Sequence, residues 1–277
     1  MKKIMFFLMA ALLALSVAGC GGNQPANGMQ GKDDSGTKQQ TAEQPKSGLD
    51  EIKARGEIIV GLSADYPPYE SHEMINGEDK IVGFDVDLAE ALAKELGVKL
   101  KIVDTSYNGL IPMLESNKID IIISGMSITP KRAESVDFSD SYYSGQNILL
   151  IKKDSDIASL DDLKDKTVGV QLGSIQETGA QKAGLETKAI NLITDAVMEL
   201  KNGKVDAVLV AKVVGDKFLD INDDLKGVYI EELSVDGDLA AAMKKGDKDL
   251  TGAVNKMLKD LKDSGEYDKL INKWFGA

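Results

Sequence analysis

The stretch Ile123-Ser124-Gly125-Met126-Ser127-Ile128-Thr129-Pro130-Lys131-Arg132 joins an apolar run, a small-residue turn, a hydroxyl and a guanidinium. The backbone carbonyl of Gly125 and the hydroxyl of Ser127 can accept from an ammonium. Arg132 can fork two charge-assisted hydrogen bonds onto a carboxylate. Together these groups fit a small zwitterion. They also fit an ordinary strand, turn and helix with a surface arginine, so the surrounding chain has to decide. Other chemistry finds little support. One histidine and one cysteine make no zinc-type cluster. There is no Gly-rich phosphate loop and no internal repeat. No cofactor is expected.

The elements that must hold the turn alternate between strand and helix. Ile58–Leu62 and Ile119–Ile123 are apolar runs, the second interrupted by Asp120 and expected as a central parallel strand covered on both faces. Asp85–Leu96 carries Leu88, Leu92 and Leu96 at helical spacing, with Asp85 or Asp87 as a possible cap and Gly97 as the stop. Val98–Ile102 alternates as a half-exposed strand, and Leu110, Ile111 and Leu114 mark a short helix. A second set follows, with strands at Ile148–Ile151, Thr167–Gln171 and Val205–Val210 and helices near Gln176–Lys182 and Asp195–Lys201. Lys248–Phe275 reads as helix broken near Ser264-Gly265. Alternating elements of this kind predict α/β domains with mostly parallel sheets, whose ligands sit at the carboxyl ends of strands. The turns after Ile123 and Gln171 lie at such ends.

The chain opens with Lys2 and Lys3, then an apolar run too short for an ordinary membrane span, then Val17-Ala18-Gly19-Cys20. This has the form of a signal peptide (1–19) ending in the lipobox of bacterial lipoproteins, whose cysteine takes a diacylglycerol. Two acyl chains make such anchoring stable. Residues 20–48 are rich in Gly, Gln, Asn, Ser, Thr, Pro and Lys and read as a flexible tether. The formal net charge is −12, and near −14 once residues 1–19 and their two lysines are gone. That balance excludes nucleic acid as a partner and gives no attraction to anionic lipid.

Several further blocks occur in order: Tyr66-Pro67-Pro68-Tyr69-Glu70, Val82-Gly83-Phe84-Asp85-Val86-Asp87-Leu88-Ala89, Tyr107-Asn108-Gly109-Leu110-Ile111-Pro112, and Val136-Asp137-Phe138-Ser139-Asp140-Ser141-Tyr142-Tyr143. Val168-Gly169-Val170-Gln171-Leu172-Gly173-Ser174, Lys244-Lys245-Gly246-Asp247 and Lys273-Trp274-Phe275 complete the set. With Gly125–Arg132 they make the chain resemble family 3 of the bacterial extracellular solute-binding proteins, the amino-acid receptors of ABC importers. The resemblance implies a type II periplasmic-binding-protein fold: two lobes, a two-strand hinge and a cleft. Lobe 1 would be 49–141 plus 240–277, and lobe 2 would be 142–239. The hinge would run near Tyr142–Gln146 and Val235–Leu239.

Carried over residue by residue, the resemblance makes Tyr66 and Tyr107 aromatic walls of the cleft. Gly125 and Ser127 would meet an ammonium and Arg132 a carboxylate. Ser174 would donate to the same carboxylate, and Gln171 would face the ligand side chain or lie at an exposed strand end. One departure matters. Ala211 stands where the family usually places an acid as the ammonium's counter-ion, and an ammonium buried without such a partner is costly. Ser63, near the lobe 1 wall, is not acidic, which leans toward a neutral polar ligand. His72 reads as an exposed loop residue and Trp274 as a packing anchor.

The resulting expectation is a monomeric, lipid-anchored, extracytoplasmic binding protein, not an enzyme. It would capture a small polar amino acid or related carboxylate for an ABC permease. The alternatives are a dehydratase-like enzyme on the same fold, for which Glu177 and His72 are the available acid or base groups, and a ligand-sensing partner of a membrane receptor.

Overall fold

The computed structural model describes residues 48–234 and 237–276. The expected signal peptide, Cys20 and all of the tether but Gly48 lie outside the described residues. Gly48 itself opens a helix, Gly48–Arg55, and is no longer tether.

Two five-stranded sheets organise the chain. In the first, Glu57–Leu62 pairs in parallel with Lys99–Asp104 on one side and Ile121–Ile122 on the other. Ala242–Lys244 then runs antiparallel between Ile121–Ile122 and Val136–Phe138. In the second, Thr167–Gln171 is parallel to Glu186–Ile190 and Ala207–Ala211. Asn147–Lys152 runs antiparallel between Ala207–Ala211 and Leu225–Val228. Each sheet is therefore mixed, with one reversed strand that the expectation of mostly parallel pairing did not contain.

These sheets are the cores of two lobes. The first borrows Ala242–Lys244 from chain that follows the second. The crossing segments Tyr143–Gly145 and Gly237–Leu239 form an antiparallel ribbon, with Gly145 opposite Gly237 and Tyr143 opposite Leu239.

Helix Phe84–Leu96 shows why the sequence folds locally as it does. Phe84, Leu88, Ala89 and Leu92 form one buried stripe. Gly97 ends it in the left-handed conformation, and its amide closes on the carbonyls of Ala93 and Lys94. At the start Gly83 is the cap residue and no side chain caps it. Asp85 is instead fully buried in the first turn, which corrects its reading as a possible cap. The break near Ser264-Gly265 separates Lys248–Asp263 from Glu266–Phe275, with Gly265 at φ 74°. Trp274 donates to Asp87 Oδ2 at 2.6 Å and anchors the last helix to the first turn of Phe84–Leu96. Among the described residues no helix is long and apolar enough to cross a membrane.

Candidate ligand cleft

The strand Ile121–Ile122 ends in Ile123-Ser124-Gly125, and Gly125 turns the chain at φ 51°. That left-handed backbone suits glycine. The segment beyond is stitched to the interlobe ribbon: Ile128 N donates to Asp238 O at 2.8 Å and Ala240 N to Met126 O at 3.0 Å. Ser127 is thereby fixed beside Leu239. Across the gap, Thr167–Gln171 ends in Leu172-Gly173-Ser174 and helix Ile175–Lys182 begins. Ser174 Oγ accepts from Glu177 N at 3.0 Å, and Glu177 Oε2 accepts from Gly173 N at 2.7 Å. This reciprocal cap leaves the Ser174 hydroxyl proton available to an acceptor.

Between these two turns lies a cavity of about 30 Å³, room for a water or two. Tyr66, Tyr107, Gly125, Ser127, Gln171 and Ser174 all line it. Six of the seven ligand-contact residues expected from sequence are thus brought together. Arg132 is not in the lining. Its Nη1 donates to Ser127 O at 2.6 Å and its Nη2 to Gly173 O at 2.9 Å, and its guanidinium lies 5.4 Å from the centre of the Tyr107 ring. It sits one layer behind the lining, tying one lobe's turn to the other's.

The lobes also meet at Tyr66, whose phenol accepts from Ala211 N at 3.2 Å. Ala211 lines the cavity with only a methyl group, as the residue that caps the start of helix Lys212–Asp220. A third bridge runs through Asp65. Its Oδ2 accepts from Ile193 N in lobe 2 at 2.5 Å, its Oδ1 from Ser63 Oγ at 2.9 Å, and Gln171 Nε2 lies 3.4 Å from Oδ1. Burial pushes the Asp65 carboxyl up to about 6, against the bonds from Ile193 and Ser63 that pull it down.

Sequence reasoning missed several of these groups. Asn147 and Gln176 line the cavity from lobe 2, joined by a 2.9 Å bond from Gln176 Nε2 to Asn147 Oδ1. Tyr69 lines it from lobe 1, stacked on Tyr66 with ring centres 5.9 Å apart. Asp65 was passed over in favour of Ser63, although it adjoins Tyr66 in sequence. Asp85 carried a usable signal: it lies three, four and seven residues before Leu88, Ala89 and Leu92, on the stripe the helix buries. The two groups weighed for acid or base chemistry are elsewhere. His72 sits on an exposed hairpin strand, Glu70–Ile75, between Asp79 and Asp104. Glu177 is the helix cap just described.

The whole two-lobed arrangement is that of the periplasmic binding proteins, and the chain belongs to the bacterial extracellular solute-binding proteins of family 3, whose model matches residues 58–277. The arginine-binding extracellular protein ArtP of Bacillus subtilis (strain 168) is 39% identical over 279 residues, 99% of this chain and 98% of that protein. An amino acid ABC transporter substrate-binding protein, AbpA from Streptococcus pneumoniae, solved bound to L-arginine, matches with a TM-score of 0.77. It is 39% identical and the match covers 82% of this chain and 98% of that one. The ancestral amino-acid-binding protein AncCDT-1, described as a precursor of cyclohexadienyl dehydratase, matches at a TM-score of 0.76 and 39% identity over 83% of this chain and all of its own.

Proposed function

We propose that this chain is the extracytoplasmic receptor of an ABC importer and that its ligand is arginine. The observation that carries the choice of ligand is Asp65. It is a buried carboxylate one weak 3.4 Å contact behind the cavity-lining Gln171, placed to receive a guanidinium that displaces that contact. This revises the lean toward a neutral ligand, which rested on Ser63. The names of ArtP and of the arginine-bound AbpA support the same choice.

In this reading Gly125 and Ser127 accept the ligand's ammonium, and Tyr66 and Tyr107 flank its aliphatic stem. The Ser174 hydroxyl and Arg132 serve the carboxylate, Arg132 by exchanging its bond to Gly173 O. Gln171 and Asp65 receive the side chain. The small cavity requires the lobes to part for entry and close on the ligand, with residues 49–141 and 240–277 moving against 142–239 about the ribbon. The protein releases its ligand unchanged, since His72 and Glu177 stand outside the cavity lining and are engaged elsewhere. Cys20 carries the lipid anchor; Cys20→Ala should release the protein from the membrane fraction, and a variant that stays bound after a salt wash would refute this.

A thermal-shift and calorimetric screen of amino acids tests the ligand. Arginine at a hundred times its Kd should stabilise by about 2.7 kcal/mol, and its mass should be unaltered after incubation. Asp65→Asn should weaken arginine at least tenfold, which is about 1.4 kcal/mol, and glutamine far less. Equal losses for both ligands would remove Asp65 from side-chain recognition.

A further inference from the structure

Behind the Gly125 turn lie two more acids that no contact described so far employs. Glu70 and Asp85 are both buried, at 1% and 0% exposure. Ser124 Oγ donates to Glu70 Oε1 at 2.6 Å. Asp85 Oδ2 accepts from Gly125 N at 2.6 Å and from the Tyr142 phenol at 2.7 Å. The remaining oxygens, Glu70 Oε2 and Asp85 Oδ1, are buried with no hydrogen-bond partner, and the two side chains are neighbours: they bond the adjacent residues Ser124 and Gly125, and Asp85 N bonds Tyr69 O next to Glu70. Two carboxylates side by side would leave both oxygens without a donor; a carboxylic acid beside a carboxylate supplies one, and a single proton satisfies both. Asp85 has two donors and Glu70 one, so the charge rests on Asp85 and the proton on Glu70.

We propose that Glu70 and Asp85 hold one proton between them and act as positioning residues, their single negative charge fixing the Gly125 turn and offsetting the ligand ammonium that Ala211 leaves without an acid. The ammonium part rests on the amino-acid reading above; the shared proton does not. The groups that face the pair are Asp65, Tyr66, Tyr69, Tyr107 and Tyr142, with the hydroxyl of Ser124. None of them is a cation, so the pair's charge is not cancelled locally. Gly125, Tyr66 and Tyr69 separate it from the cavity, and Asp85 is one hydrogen bond from a residue that lines it. Burial pushes both carboxyls up, Asp85 to about 7. A second proton therefore neutralises the pair as pH falls through neutrality, and the offset is lost with it.

Two measurements test the two halves. Infrared difference spectra of the ligand-free protein at pH 8, wild type against Glu70→Gln, should show one protonated buried carboxyl that the variant lacks. A spectrum without that band overturns the shared proton whatever the ligand is. For the charge, calorimetry should compare arginine with its analogue lacking the α-amino group. Glu70→Gln keeps the Asp85 charge and should cost a few-fold. The doubly neutral Glu70→Gln/Asp85→Asn should cost roughly tenfold to fiftyfold, the order of effect of removing one nearby unit charge at an effective dielectric near 20. The analogue should lose much less. In the wild type, arginine affinity should fall between pH 8 and pH 5 while the analogue's falls less, which keeps the test alive if the double variant does not fold. Equal losses for arginine and the analogue, or a double variant no weaker than Glu70→Gln, overturn the counter-charge.

Discussion

The two faces of the cleft are built from different chemistry. Lobe 1 presents Tyr66, Tyr69 and Tyr107 over a floor of buried acids, Asp65, Glu70 and Asp85. Lobe 2 presents neutral amides and a hydroxyl: Asn147, Gln171, Ser174 and Gln176. The lobe 2 groups are largely committed to one another and to backbone, as when Asn147 Nδ2 donates to Leu233 O at 3.1 Å. The difference assigns separate tasks. A face holding fixed negative charge and flat aromatic rings can grip a cationic ligand while the cleft is open. A neutral, internally hydrogen-bonded face adds directional bonds on closure without a charge whose desolvation would oppose it.

The largest expected effect breaks the one cation in this contrast. Arg132 bonds the carbonyls of both turns, Ser127 O in lobe 1 and Gly173 O in lobe 2. Arg132→Ala removes that bridge and, with it, the proposed partner of the ligand carboxylate. Truncating one member of a buried charge pair costs roughly 2–5 kcal/mol, so binding should fall on the order of thirtyfold to several thousandfold. Calorimetric titration checks it. Near wild-type binding would leave Arg132 as an interlobe tie only.

The acid floor also makes a stability prediction whose sign differs from that for binding. Asp65 sits at about 6 and Asp85 at about 7 in the fold, against an ordinary value of 3.8, burial being the main cause for both. Between those limits the folded state binds more protons than the unfolded state, so ligand-free stability rises as pH falls from about 7 toward 4 and is lost as pH rises through the folded values. Asp65 alone accounts for up to about 3 kcal/mol of this by its shift. Acidification should thus raise the ligand-free melting temperature while weakening arginine. A melting temperature that falls steadily from pH 7 to pH 5 would contradict the raised carboxyls of lobe 1.

How much of this was legible depended on whether a residue's task shows in its neighbours along the chain. The buried strand Glu57–Leu62 announces itself as an apolar run, and Phe84–Leu96 by its stripe and Gly97. The hairpin Glu70–Ile75 and Glu78–Val82 does not, because its polar residues fall at consecutive positions and leave no alternation to read. The ribbon strand Tyr143–Gly145 is three residues long, too short for any period. Six cavity-lining residues were named through motif blocks, which mark the turns of Ser127 and Ser174 and the short strand of Tyr66. The acid floor was not found. Apart from the stripe position of Asp85, a buried acid differs from a surface one in what bonds and covers it, and here Ser124 and Tyr142 come from distant parts of the chain. Asp85 looked like a cap because it stands in the first helical turn, where acids are common.

The smallest effect would sharpen the contrast by moving charge to the neutral face. Ala211 starts helix Lys212–Asp220, lines the cavity and is partly buried, and its amide already reaches the Tyr66 phenol. In Ala211→Asp the new carboxylate would stand at a helix start, a favourable place for an anion, on the side of the cleft opposite the Glu70–Asp85 pair. If the ligand ammonium is offset only from lobe 1, a second acid should tighten arginine by a few-fold to about tenfold, roughly 1 kcal/mol or slightly more. The gain should be larger at pH 5, where the lobe 1 pair has taken its second proton and the new acid, being less buried, stays ionised. For the analogue lacking the α-amino group the same carboxylate would be buried without a partner, and binding should weaken. Titrations of both ligands at pH 8 and pH 5 distinguish these outcomes. If Ala211→Asp weakens arginine at both values, the ammonium does not approach lobe 2 at this position, and recognition of that group belongs to lobe 1 alone.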